Sequence, residues 1–339
     1  MSLTIHNPDD EATGPPPPFD PELKLHLRAL QEFVAPDGYR LETLAQMRRM
    51  VQEEWPGPSD ADLRRDGRFE VSEVSAPGPD GAPDIRLLVC RPTGAHPRLP
   101  AVYFVHGGGM ILGDNRAGIQ EVLDWAEALG LVVVSVEYRL APETRHPGPV
   151  EDCYAGLTWT AAHAAELGID AQKIIVAGES AGGGLAAALV LLARDRGGPA
   201  IHGQLLNAPM LDDRNDSVSA RQMAGVGSWD RVSNENGWTA LLGEARGGPD
   251  VPQYAAAARA EDLGGLPPTY IDVGSAETFR DEDVAYASRI WAAGGTAELH
   301  VWPGAWHGFT HDAPTAVLSV QARAARLAWL RRLLVPHHP

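Results

Sequence analysis

An α/β fold, with a mostly parallel central sheet flanked by helices, is what this chain predicts. Two observations carry that expectation. After Pro100 short apolar runs recur, each closed by glycine or a polar turn and followed by a helical segment. The runs lack polar alternation, so they fit strands covered on both faces, and their alternation with helices implies right-handed crossovers and parallel pairing. A third observation sets the size: 339 residues lie within the range of a single large α/β domain.

Taken in order, the chain opens on polar residues that run into GPPPP at Gly14 to Pro18, which cannot form a helix and is expected to lie extended or mobile. From Asp20 to about Glu54, Leu23, Leu25, Leu27, Leu30, Phe33, Leu41, Leu44 and Met47 recur at helical spacing, broken near Pro36-Asp37-Gly38. Two helices forming an N-terminal arm follow from that pattern. Phe69 to Val74 and Ile85 to Val89 flank the turn-rich APGPDGAPD and predict an antiparallel hairpin. The apolar runs then follow as AVYFVHGGG, LVVVSVEYRL, KIIVAGES, GQLLNAPML, TYIDVGS and AELHVWPG, each with a strand at its start. Between Asp212 and Ala260 the rhythm breaks with Gly, Asn, Trp and an alanine tract, which reads as an insertion packed over one end of the sheet. The expected division is an N-terminal arm over residues 1–55, a first part of the α/β core over 56–208, a cap insertion over 209–260 and a second part of the core over 261–339. No internal repeat is visible.

Composition narrows the function. Lys+Arg total 28 against Asp+Glu 45, a formal charge of −17 that repels phosphate backbones and anionic lipid headgroups. Nucleic acid and stable membrane association are therefore not expected. No run of about 18 apolar residues offers a transmembrane span, and MSLTIHNPDDEATG has neither a basic nor an apolar leader region. A soluble, cytoplasmic protein is the expectation. Cys90 and Cys153 are too few for a disulfide framework and unclustered, so they read as buried or indifferent thiols.

The most specific chemical signal is GESAGG, Gly178 to Gly183, between the strand KIIVA and the helical run LAAALVLLARD. It fits G-x-S-x-G, a strained strand-to-helix turn that pushes the hydroxyl of Ser180 out at the carboxyl end of the sheet. Gly178, Glu179 and Gly182 are its supporting residues, the glycines because the turn closes only between neighbours without side chains. HGGG, His106 to Gly109, follows the strand AVYFV. Its glycines free backbone N–H groups to face a cavity, so Gly108 and Gly109, together with Ala181, are candidates to bind a developing alkoxide oxygen, with His106 and Gly107 supporting the loop. A serine hydroxyl is a weak nucleophile and needs a base of pKa near 7. Of 12 histidines, His307 in PGAWHGF stands apart: it follows the last predicted strand, is flanked by Gly308 and comes last in the order Ser, acid, His. The acid is sought in GSAETFRDE after TYIDV. That loop offers Glu277, Asp281 and Glu282: Glu277 lies early in the strand-end loop and is preferred, Asp281 is the main alternative, readable as a surface ion pair with Arg280, and Asp272 points elsewhere by strand alternation.

With these motifs in place, the chain from about Pro100 to Phe309 resembles the bacterial hormone-sensitive-lipase-like esterases of the α/β-hydrolase superfamily. YRLAPETRHPGPVEDCYAGL, Tyr138 to Leu157, carries the resemblance beyond HGGG and GESAGG. The family pattern implies that Tyr138 to Glu143 support the elbow and oxyanion loop, and that Glu151 or Asp152 is structural. One departure is that the family usually places Asp in a GxxDxLxDE motif where this chain has Glu277. The resemblance implies a serine carboxylesterase for short- to medium-chain acyl esters, with no metal or organic cofactor required, and a cap that sets selectivity. Met110, Trp229 and Trp238 are candidates for the substrate pocket. It also implies a possible homodimer through the edge strand near Ala297 to Trp302. Other readings on the same fold are an amide or N-acyl hydrolase using the same triad, and an inactive small-molecule binding protein.

Overall fold

A computed structural model describes residues 13–31, 39–54, 56–94 and 98–335. The arm forms α1 (Pro21–Gln31) and α2 (Leu44–Glu54), as its periodicity predicts. The break near Pro36 to Gly38 lies outside the described residues, as do the first residues before Thr13. Gly14 to Pro18 is without helix or strand, and the carbonyls of Gly14 and Pro15 accept from the amide of Gln222. The arm is seated by one stripe of each helix: Leu23 and Leu27 bury against Trp306 and Phe309, while Leu44 and Met47 enter the main core. Leu25 faces away and is exposed.

The chain continues through α3 (Asp60–Arg64), β1 (Phe69–Ala76), β2 (Ile85–Pro92), β3 (Leu99–Val105), α4 (Ile119–Leu129) and β4 (Val132–Val136). After these come α5 (Gly148–Ala162), α6 (Ala164–Leu167), β5 (Ile169–Glu179), α7 (Ala181–Arg196) and β6 (Gly203–Asn207). The segment after β6 holds α8 (Val218–Gln222) and α9 (Arg231–Leu242), and it returns to β7 (Thr269–Gly274), α10 (Arg280–Ala292), β8 (Ala297–Trp302), α11 (Phe309–Asp312) and α12 (Val317–Leu334).

The strands form one 8-stranded sheet in the order β1-β2-β4-β3-β5-β6-β7-β8. β1 and β2 are the predicted antiparallel hairpin and β2 pairs antiparallel with β4; every later pair is parallel. Each residue of β4 and β7 is buried, which is why these runs show no alternation of polarity. Alternation survives as a division of the core instead. Val102, Phe104 and Val133 pack with Ile119 of α4 and Trp329 of α12 on one face; Ala101, Tyr103 and Val134 pack with Leu157 of α5 and Leu185 of α7 on the other.

This strand order has a functional consequence. The chain runs from β3 outward to β4, then recrosses to β5 on the other side of β3, so the loops after β3 and β5 leave in opposite directions and open a crevice at their carboxyl ends. HGGG follows β3 and GESAGG spans the end of β5. Cys90 and Cys153 are buried and unpaired, and burial pushes the Cys90 thiol up to about 12, so it is inert as a thiolate. Among the described residues, no helix is long and apolar enough to cross a membrane.

Candidate active site

The turn at Ser180 has the strain that the glycines foretell. Ser180 adopts φ 54° and ψ −124°, which an L-residue tolerates only when its surroundings enforce it. They do: its N–H donates to Asn207 O at 2.8 Å, and its C=O accepts from Gly184 N at 3.0 Å and Met210 N at 2.9 Å. A Cβ at Gly178 would lie 2.2 Å from Gly182 O, and one at Gly182 would lie 2.1 Å from Val105 O. Neither position admits alanine without moving backbone.

His307 sits on the loop between β8 and α11, with Nε2 at 2.9 Å from Ser180 Oγ and Nδ1 at 2.9 Å from Glu277 Oε1. A carboxylate facing Nδ1 keeps the proton on that nitrogen and leaves Nε2 free to accept the serine proton. Glu277 is 2% exposed, and its second oxygen accepts from Gly274 N at 2.7 Å. The extra methylene of glutamate is thus taken up by folding the side chain back onto the end of β7. Phe279 packs edge-on against the imidazole, 5.0 Å between centroids. The other candidate acids, Asp281, Glu282 and Asp272, are bound elsewhere. Asp281 accepts from Ser219 N at 2.7 Å and pairs with Arg280, while Asp272 meets Arg326 and Trp302.

The glycine loop lies beside the elbow. Gly108 and Gly109 take φ 103° and 63°, and a Cβ on Gly107 would stand 3.4 Å from Ser180 Cβ. The N–H groups of Gly108, Gly109 and Ala181 have no acceptor among the described residues. His106 is fully buried, stacks on Tyr138 with centroids 4.2 Å apart, and has Nδ1 2.8 Å from Gly107 O. Tyr138 Oη donates to His106 O at 2.9 Å, and Ala141 N donates to Met110 O at 2.9 Å, so the YRLAP segment braces the loop as the resemblance implies. Asp152 receives a two-pronged bond from Arg139, a structural role. From the arm, Arg48 reaches Ile111 O and Ala141 O, each at 2.8 Å. No sequence motif marks that contact.

Burial lowers the His106 pKa from 6.5 to about 4. In the unfolded chain the ring protonates as pH falls below about 6.5, whereas in the fold it stays neutral until about pH 4, so stability present at neutral pH drains away across that window. The full effect is worth about 3 kcal/mol. Between pH 6.5 and 4 the melting temperature of wild type is expected to fall relative to that of His106→Asn; equal slopes would remove His106 as the cause.

Ser180, His307, Asn207 and Gly107 to Gly109 open into a cavity of about 500 Å³. Its walls include Leu30, Tyr39, Met47, Met50 and Val51 from the arm, and Ser228 and Trp229 from the segment after β6. Trp229 lies so close over Gly109 that a Cβ there would come within 2.3 Å of the indole, and its ring meets Tyr39 at 5.2 Å. Met110 and Trp238, both expected at the pocket wall, are fully buried and do not line it. Trp238 lies on the inward face of α9, with Asn234 and Leu241, and Met110 is turned into the core by φ 63°. Two contacts escape sequence reasoning: Ser228 Oγ donates to His307 O, and Thr278 Oγ1 donates to Trp229 O at 2.7 Å. Among the described residues no three His, Cys, Asp or Glu side chains gather as a metal-binding group.

A mostly parallel sheet that carries a strained serine elbow, a glycine loop and a serine–histidine–carboxylate chain is the arrangement of an α/β hydrolase. The chain belongs to that family, whose model, described as an alpha/beta hydrolase fold, matches residues 102–311. It is 34% identical to carboxylesterase NlhH of Mycobacterium tuberculosis over 96% of this chain and 99% of that protein. Among solved structures, a bacterial heroin esterase superposes with a TM-score of 0.84 at 39% identity, covering 94% of this chain and 98% of that one. Esterase LipW from Mycobacterium marinum gives 0.83 at 30% identity, over 95% and 99% of the two chains.

Proposed function

We propose that the protein is a serine carboxylesterase acting on short- to medium-chain acyl esters. The observation that carries this is the continuous hydrogen-bonded chain from Ser180 Oγ through His307 to Glu277, beside amides free to bind an oxyanion. Ser180 Oγ attacks the ester carbonyl as its proton passes to His307 Nε2. The N–H groups of Gly108, Gly109 and Ala181 hold the tetrahedral oxyanion, and Glu277 stabilises the imidazolium. His307 then protonates the departing alkoxide. Water enters, gives its proton to His307, attacks the acyl-enzyme, and the acid leaves as Ser180 recovers its proton. A binding protein would have no physical reason to keep this chain complete.

In this reading the arm and the segment over residues 209–260 form the cap, supported by the cavity residues that each contributes. Acyl chains that fit gain about 0.8 kcal/mol per buried CH₂, and longer ones must displace Trp229 or the arm. On p-nitrophenyl esters, kcat/KM is expected to rise from acetate to butyrate or hexanoate and to fall by decanoate, with the matching anilide hydrolysed far more slowly. Trp229→Ala should shift the optimum toward longer chains; an unchanged profile would take Trp229 out of the selectivity. Faster turnover of the anilide would make the enzyme an amidase.

β8 is the edge of the sheet, with Val301 41% exposed, and this supports a homodimer paired along Ala297 to Trp302. Light scattering at micromolar concentration that shows only monomer mass would count against it.

A further inference from the structure

Arg326 of α12 is 1% exposed, an uncommon place for a guanidinium, and its polar partners sit on the elements that carry the active site. Nη2 donates to Asn207 Oδ1 at 2.9 Å, and the carbonyl of that same Asn207 accepts the N–H of Ser180. Nε donates to Asp272 Oδ2 at 3.0 Å; Asp272 pairs in register with Asn207 and lies two residues before Gly274, whose N–H holds Glu277. Nη1 donates to Thr310 Oγ1 at 3.3 Å, three residues beyond His307. It also reaches both oxygens of Glu121, at 3.1 and 2.9 Å, at the start of the helix that follows the glycine loop. Trp302 Nε1, at the end of β8, completes the set on Asp272 Oδ2 at 3.0 Å.

We propose that Arg326 is a positioning residue for catalysis, a single buried fork that sets the spacing between the elbow, the acid loop, the histidine loop and the helix behind the oxyanion loop. This rests on the serine-esterase reading above. The three loops and the helix follow separate strands, and the catalytic hydrogen bonds are useful only while those strand ends keep their spacing. A displacement of about 1 Å in a reacting group can cost on the order of 10²-fold in rate. The planar fork of arginine, with its five N–H donors, can meet Asn207, Asp272, Thr310 and Glu121 at once, whereas a lysine ammonium satisfies the carboxylates as a point charge without spanning all four.

The test compares Arg326→Lys with wild type on p-nitrophenyl butyrate. Melting temperature, kcat, KM and the rate of labelling by a p-nitrophenyl alkylphosphonate are measured together. The expected result is a folded variant with kcat lowered about 10- to 100-fold, KM within about twofold, and phosphonate labelling slowed by the same factor as kcat. If the lysine variant does not fold, Arg326→Met combined with Glu121→Gln and Asp272→Asn removes the buried charges together and is expected to show the same pattern. A folded variant with wild-type kcat and labelling rate would overturn the proposal, as would a raised KM at unchanged kcat. Wild type that neither turns over the ester nor takes the label would overturn the esterase reading beneath it, a result separable from both.

Discussion

Ser180→Ala is expected to lower ester turnover by about 10⁴-fold or more, measured as kcat/KM on p-nitrophenyl butyrate, with the melting curve unchanged. The size of the effect follows from geometry. His307 has its accepting nitrogen 2.9 Å from this hydroxyl, and the elbow conformation exists to present it. Alanine keeps the backbone hydrogen bonds to Asn207 and Met210 and relieves nothing in the core, so activity is lost without loss of fold. What turnover survives comes from the oxyanion amides and substrate binding acting on water. Retention above a few per cent would end the serine mechanism.

The second large effect separates two acids. Glu277 accepts two donors, Gly274 N–H and His307 Nδ1–H. In Glu277→Gln only one acceptor oxygen remains. The Gly274 amide is a fixed donor and claims it, which turns the side-chain NH₂ toward Nδ1 and drives the imidazole proton onto Nε2. That tautomer cannot take a proton from Ser180, and kcat should fall about 10⁴-fold. Asp281→Asn should lower kcat only a few-fold, because Asp281 binds the Ser219 amide and Arg280 instead. The reverse ranking would place the acid at Asp281; equal small losses would remove both.

How much of this was legible in the sequence depends on how local each feature is. The elbow and the glycine loop could be read because their constraints lie within a few residues: Gly178 and Gly182 are separated from a clash only by the absence of a Cβ. The strands of the sheet were readable because burial on both faces leaves an unbroken apolar run, as in β4. Its place just past the strand end put Glu277 ahead of Asp281, and it is Glu277 that meets His307 Nδ1, although the folding back of its side chain onto Gly274 could not be foreseen. The pocket was only partly readable. Trp229 and Trp238 lie nine residues apart in the same segment, and only the docking of α9 decides that one faces the cavity and the other the core. Arg326 was invisible for the same reason. In the run RAARLAWLRR it looks like any helical surface cation, and its Glu121 contact spans 205 residues.

In this mechanism the hydroxyl oxygen of Ser180 becomes covalently bonded to the acyl carbon. The most direct measurement is peptide mapping by mass spectrometry after inactivation with a p-nitrophenyl alkylphosphonate. The expected result is one phosphonyl group per chain, carried by the peptide containing Ser180, with one equivalent of p-nitrophenol released as activity disappears. An adduct on another residue, or full turnover in the presence of the reagent with Ser180 unmodified, would contradict the mechanism.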